Sequence, residues 1–186
     1  MKKQEELNLI KKNYEKCQKC PLAKLGRTQV VFGKGNSNAK LMFIGEGPGR
    51  DEDLQGSPFI GRAGQLLTKM IEAMGLKRED VYISNVVKCR PPNNRTPLPD
   101  ESIICKKEIL AKEIALIEPQ IICCLGSSAT KALLGDEIKI TQIRGQFFEL
   151  NGIKIMPTFH PAYLLRNPNA KRPVWQDLQK IIANLK

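Results

Sequence analysis

The chain has 186 residues, of which 41% are hydrophobic, enough for one ordinary domain with a core and too little for two large ones. That apolar content excludes a disordered tail, and 30 Lys and Arg against 19 Asp and Glu leave a formal net charge of +11. Such a balance favours a polyanionic partner, either nucleic acid or an anionic membrane surface. The N-terminus carries no apolar stretch of signal-peptide length, and no run reaches the roughly 18 apolar residues of a membrane span. The reading is therefore a cytoplasmic protein without a membrane anchor, one domain over residues 1–186. In a reducing compartment its six cysteines suit metal binding or burial better than disulfides.

The first helix is expected over about Lys2 to Lys16, where Leu7, Ile10 and Tyr14 recur at spacings of three and four. A short apolar strand, Lys40 to Ile44, enters the tight loop Gly45-Glu46-Gly47-Pro48-Gly49. Gly61 to Gly64 opens a helix to about Met74 with Leu67, Met70 and Ile71 on one face. Val81 to Val87 reads as a second strand, and the prolines at 91, 92, 97 and 99 keep the next stretch out of a helix. Asp100 caps a helix to about Ile117, Ile121 to Leu125 is a third strand, and Gly126 starts a helix to Leu134. A fourth strand, Ile153 to Met156, leads to Pro157-Thr158-Phe159-His160-Pro161, and a last helix covers about Val174 to Leu185. Strands alternating with helices at crossover spacing imply a mainly parallel sheet covered on both faces. Ligands of such sheets bind beyond the strand C-termini, which directs attention to the loops at 45–61, 85–99 and 157–166.

The glycine loop is neither a dinucleotide fingerprint nor a phosphate-cradling loop, since it lacks both glycine orders. It brings Glu46 to the sheet's edge, and the only histidine, His160, follows the fourth strand into the same crevice. Asn85 ends the second strand, and Phe59 lies between Gly56 and Gly61. Singly, these read as a capping amide and a core ring; together in one crevice they suit a planar heterocycle, stacked on the ring and paired with the amide. Cys17-Gln18-Lys19-Cys20 has the ligand spacing shared by zinc and iron–sulfur sites, and Cys89 and Cys105 could complete a four-thiolate centre. Spacing does not choose between the metals. Cys123 and Cys124, inside an apolar strand, read as buried thiols. The basic residues cluster beside the crevice loops, among them Lys88, Arg90 and Arg95 at the proline loop and Arg166, Lys171 and Arg172 near His160. That placement suits phosphate contacts which position a nucleic acid without reading its sequence.

Four segments together resemble the uracil-DNA glycosylase superfamily, most closely the iron–sulfur, thermostable-type family 4: Cys17 to Leu22, Gly45 to Gly49 with Pro58 to Leu67, Asn85 to Pro92, and His160 to Arg166. The resemblance implies a three-layer α/β/α sandwich around a four-stranded parallel sheet. It implies a 4Fe–4S cluster held by Cys17, Cys20, Cys89 and Cys105, structural in role. It further implies that Phe59 stacks on a flipped-out uracil beside Gly47, that Asn85 accepts from uracil N3–H and donates to O4, and that His160 donates to O2. Leu164 would wedge into the duplex and Arg166 would contact the DNA.

Better-known branches of the superfamily place an aspartate where this chain has Gly47, so Glu46 is the expected water-positioning carboxylate, with Glu52 and Asp53 as second candidates. The 90–99 stretch has no histidine of the kind that related covalent uracil-DNA binders carry. No lysine is evidently placed as a Schiff-base nucleophile. The implied activity is monofunctional release of uracil from single- or double-stranded DNA by a monomeric, nucleoid-associated repair enzyme. The rivals are a catalytically silent iron–sulfur protein that grips nucleic acid and a zinc-bound nucleotide hydrolase. The Glu46, Asn85 and His160 set argues against the first, and the missing phosphate loop against the second.

Overall fold

The computed structural model describes residues 2–185. Its elements in chain order are α1 (Lys2–Tyr14), β1 (Lys34–Gly35), β2 (Leu41–Gly45), α2 (Arg50–Gln55), α3 (Arg62–Ala73), β3 (Tyr82–Asn85), α4 (Pro99–Cys105) and α5 (Ala111–Ile117). They continue with β4 (Ile121–Leu125), α6 (Ser127–Leu134), α7 (Ile140–Ile143), β5 (Phe148–Leu150), β6 (Ile153–Thr158), α8 (Pro161–Arg166) and α9 (Lys171–Asn184). One π turn, Lys106–Leu110, joins α4 to α5, so the single helix expected there is continuous but carries a bulge directly after Cys105.

The strands form one six-stranded sheet in the order β1-β3-β2-β4-β6-β5. The inner four are parallel, as expected. The two edges are antiparallel and extend the four-stranded reading to a mixed sheet. β1 is only two residues, with no apolar pattern to announce it. β5 forms a hairpin with β6 through Asn151-Gly152, both at positive φ (50° and 80°). This Asn-Gly pair is the turn that a tight hairpin demands.

β2 and β4 are buried at every residue, which is how a strand covered on both faces reads. Alternation then sorts their side chains between two cores. Leu41, Phe43, Cys123 and Leu125 join Leu67 and Ile71 of α3, Leu164 of α8 and Leu178 and Ile181 of α9. Met42, Ile44, Ile122 and Cys124 join Leu7 of α1, Ile117 of α5 and Ala129 of α6. The result is the expected three-layer α/β/α sandwich, with Cys123 and Cys124 one on each side. Each large aliphatic chain so enclosed contributes about 1.5–3 kcal/mol. No described helix is long and apolar enough to cross a membrane.

Candidate active site

All four parallel strands end on the same side of the sheet, and the loops leaving them enclose a crevice of about 970 Å³. Glu46, Gly47, Phe59, Asn85, His160 and Arg166 all line it, so the structure gathers six of the residues singled out from the sequence. The β2–β3 ladder does this locally. Gly45 pairs with Asn85, and past the strand ends the Val86 and Val87 amides donate to the carbonyls of Gly45 (2.9 Å) and Glu46 (3.1 Å), which keeps Glu46 beside Asn85.

Asn85 is 2% exposed, and its Oδ1 is the one buried side-chain polar atom among the described residues without a hydrogen-bond partner. A buried acceptor left unmet is costly, and native structures keep few of them. Gly45 makes this arrangement possible: a Cβ there would lie 2.4 Å from the Phe59 ring and 2.6 Å from Asn85 Oδ1. Gly45 was not singled out from the sequence as a site residue; the signal available was its place at a strand end opposite Asn85.

Phe59 is buried and stands in the left-handed region at φ 52°, an uncommon conformation for an aromatic residue. Its loop is held from two sides. The Glu52 carboxylate accepts from the amides of Ile60 (2.9 Å), Gly61 (2.8 Å) and Gly49 (3.1 Å), and Arg78 donates to the Pro58 carbonyl at 2.7 Å. A Cβ on Gly64 would overlap the Phe59 carbonyl at 1.9 Å, so only glycine admits this approach. The Phe59 ring ends 5.5 Å from that of His160, the planes tilted by 30°.

His160 caps the N-terminus of α8, its Nδ1 accepting from the Ala162 amide at 3.0 Å. An accepting Nδ1 carries no proton, so the neutral ring has its proton on Nε2. Withdrawal of the ring from water, reinforced by the positive charge of Arg166 and opposed by Glu52, lowers its pKa from 6.5 to about 4. At neutral pH the ring is therefore an uncharged donor. Just upstream, Thr158 donates to Asp177 of α9 at 2.6 Å, which fixes the end of the strand that presents it.

Of the three carboxylates considered for positioning water, two are consumed. Glu52 is taken up by the three amides above, and Asp53, 2% exposed, accepts from the Thr28 amide at 2.9 Å. Glu46 is half-buried at the crevice and receives a hydrogen bond from Ser128 Oγ, a residue the sequence reading passed over. A Cβ at Gly47 would approach Val87 Cγ2 to 2.7 Å, so the backbone there has no room for an aspartate without displacing Val87.

Two expectations are corrected. Leu164 is not at the surface: it is 1% exposed and packed in the core with α3 and α9, while its neighbours Tyr163 and Leu165 are each 39% exposed. In a helix the residue at the inward position is set by packing, and a resemblance in the His160 to Arg166 segment does not reveal it. Lys88 is not a surface phosphate contact: it is fully buried against Glu113. Arg95 remains at the crevice but is held by Glu101, donating to both carboxylate oxygens at 2.7 and 2.8 Å.

Cys17, Cys20, Cys89 and Cys105 are free thiols, and the nearness of the others helps to raise the pKa of Cys20, Cys89 and Cys105. Burial is the larger cause for these three and pushes Cys105 up to about 12, so Cys20, Cys89 and Cys105 are not activated nucleophiles. Two sulfurs accept hydrogen bonds, Cys89 from Arg27 Nη1 at 2.7 Å and Cys105 from the Lys88 amide at 3.3 Å. Among the described residues no group of His, Cys, Asp or Glu side chains is arranged to hold a single metal ion. An iron–sulfur cluster is larger than one ion and takes thiolates set farther apart, and all-sulfur donors with N–H bonds to sulfur suit it.

A mainly parallel sheet with an amide, a histidine and an aromatic ring gathered beyond its strand ends defines an α/β protein with a crevice site, and the family comparison says of which kind. The model of the Uracil DNA glycosylase superfamily matches residues 32–179, and the chain belongs to that superfamily. Within it, the chain is 46% identical over 188 residues to the Type-4 uracil-DNA glycosylase of Thermotoga maritima, covering 99% of this chain and 97% of the relative. The Type-4 enzyme of Saccharolobus solfataricus is 47% identical over 95% of this chain and 85% of its own length. That of Archaeoglobus fulgidus is 41% identical over 95% and 92%.

Proposed function

We propose that the protein is a uracil-DNA glycosylase of base-excision repair: it takes uracil out of the DNA stack, hydrolyses its N-glycosidic bond and leaves an abasic site without cutting the strand. The observation that carries this reading is the unmet Oδ1 of Asn85. Uracil presents an N–H at N3, which this acceptor needs; cytosine presents a bare nitrogen there and leaves the acceptor unpaired. A site built around a hydrogen bond rejects the analogue that lacks it far better than an apolar pocket rejects a shape.

Phe59 stacks on the flipped base, and Gly45, lacking a Cβ, lets the Phe59 ring and the Asn85 amide close on it together, with Gly47 beside it. As the bond from C1′ to N1 breaks, its electron pair passes to the uracil ring and charge gathers on O2. The neutral His160 donates there from Nε2, a contact stronger in the transition state than before it. Water adds to C1′ of the cationic sugar and gives its proton to Glu46, which Ser128 holds in place. Exposed Arg166 contacts the phosphates of the strand, whose ordinary cellular setting is the nucleoid of the cytoplasm, and the enzyme acts as a monomer.

Cys17, Cys20, Cys89 and Cys105 would hold a 4Fe–4S cluster. Bound there, it would supply structural order rather than redox chemistry, with Cys17 and Cys20 tying the N-terminal loop to the segment that carries Cys89 after Asn85.

The test is incubation with a uracil-containing oligonucleotide followed by alkali. The reading predicts a cut at uracil in single- and double-stranded substrates. An uncut strand at stoichiometric enzyme contradicts it.

A further inference from the structure

Lys88 lies between the end of β3 and the cysteine Cys89, and nothing in the chemistry above uses it. Its ammonium has three donors and all three are engaged: Ser84 Oγ at 2.5 Å, the backbone carbonyl of Asn85 at 2.7 Å and Glu113 Oε2 at 2.7 Å. Glu113, from α5, is only 2% exposed and also accepts from Ser84 Oγ (2.6 Å), the Gly33 amide (2.9 Å) and Tyr82 OH (3.3 Å). The main chain of Lys88 is tied as well, its amide to Cys105 Sγ at 3.3 Å and its carbonyl to the Val31 amide at 2.7 Å.

A buried ion pair is weak support for stability, because desolvation offsets most of the attraction. What this one does is geometric. Asn85 is the last residue paired in the β2–β3 ladder, and the carbonyl that leaves it is held by the Lys88 ammonium. The side chain of that same residue carries the unmet acceptor. We infer that Lys88 and Glu113, joined by Ser84, are positioning residues that fix the Asn85 peptide and thereby aim its amide at the base. The inference rests on the reading of Asn85 given above. It predicts that disturbing the network harms selection of uracil more than binding of DNA, since the network touches no phosphate.

The experiment uses the iron-bearing full chain with Lys88→Met and Glu113→Gln together. This removes both charges at once, leaves an oxygen for Gly33 and Tyr82, and keeps the hydrogen bond from the residue-88 amide N–H to Cys105 Sγ. With visible absorbance, iron content and far-UV spectrum as in the parent, uracil release in a single turnover is expected to fall roughly 100-fold, the scale of a misplacement of about 1 Å. KM for DNA stays close to the parent, and the ratio of uracil to cytosine release drops. Parent rate and ratio in a folded, iron-bearing double variant overturn the inference.

If the double variant does not fold, Ser84→Ala decides. It leaves the charges paired and is expected to lower the ratio several-fold, and an unchanged ratio overturns the inference. Asn85→Asp runs in parallel. If it leaves selectivity intact, the reading of Asn85 itself fails; if it alters selectivity while the network variants do not, only the network fails.

Discussion

Two polar regions lie back to back across β3. On one side Tyr82 and Ser84 meet Glu113 and Lys88, every donor and acceptor is engaged, and the group is sealed from water. On the other side Asn85 is equally buried, but its Oδ1 has no partner. The same strand thus builds a finished network at Ser84 and an unfinished one at Asn85, adjacent residues whose side chains turn to opposite faces. The finished side stiffens; the unfinished side awaits a ligand with a matching donor. Incomplete hydrogen bonding in an otherwise complete interior is where this fold keeps its specificity.

The comparison can be broken on either side. The largest effect is expected from Glu113→Ala, which strands the Lys88 charge inside the protein and should cost about 3–5 kcal/mol, read as a lower midpoint in denaturant. A variant as stable as the parent would show that the network is not closed. Next comes His160→Ala on the crevice side, expected to slow uracil release by about 10²–10³-fold, the worth of one donor to a developing oxyanion, with melting temperature little changed.

The parent's pH profile sharpens that prediction. Because folding depresses the His160 pKa to about 4 from 6.5, the neutral ring is retained across the neutral range and release shows no inflection near 6.5. The unfolded chain takes up a proton below 6.5 while the folded one does not, so this group's effect on stability is absent at higher pH and turns unfavourable as pH falls toward 4. A rate that falls as pH rises through 6.5 would mean that the imidazolium is the donor. The smallest change is expected from Ser128→Ala, roughly fivefold in rate from the loss of one hydrogen bond worth about 1 kcal/mol, measured as single-turnover release.

Much of this arrangement is legible in the sequence, for physical reasons that also mark its limits. The apolar runs at 41–45 and 121–125, each followed by a glycine turn and a helix, read as inner parallel strands, so the crevice and the convergence of Glu46, Asn85 and His160 follow from chain order. The edge strands do not: β1 is too short to carry a pattern, and the Asn151-Gly152 turn between β5 and β6, a signal that was there to read, was passed over. Lys88 was read as a surface cation because its partner, Glu113, lies 25 positions away on another element, and no local pattern records a long-range ion pair. Leu164 was placed by the family resemblance, whereas packing against α3 and α9 decides which face of a six-residue helix turns inward. Gly45 and Gly64 matter for what they omit, and only the neighbouring coordinates show what a Cβ would strike.

The central claim is that the buried Oδ1 of Asn85 is completed by the N3–H of uracil. It is tested most directly by an oligonucleotide carrying 3-methyluracil in place of uracil, which keeps the ring, O2 and O4 and replaces that one donor. The account predicts that the enzyme frees uracil and leaves the methylated base in the strand; release of both at equal rates would contradict it.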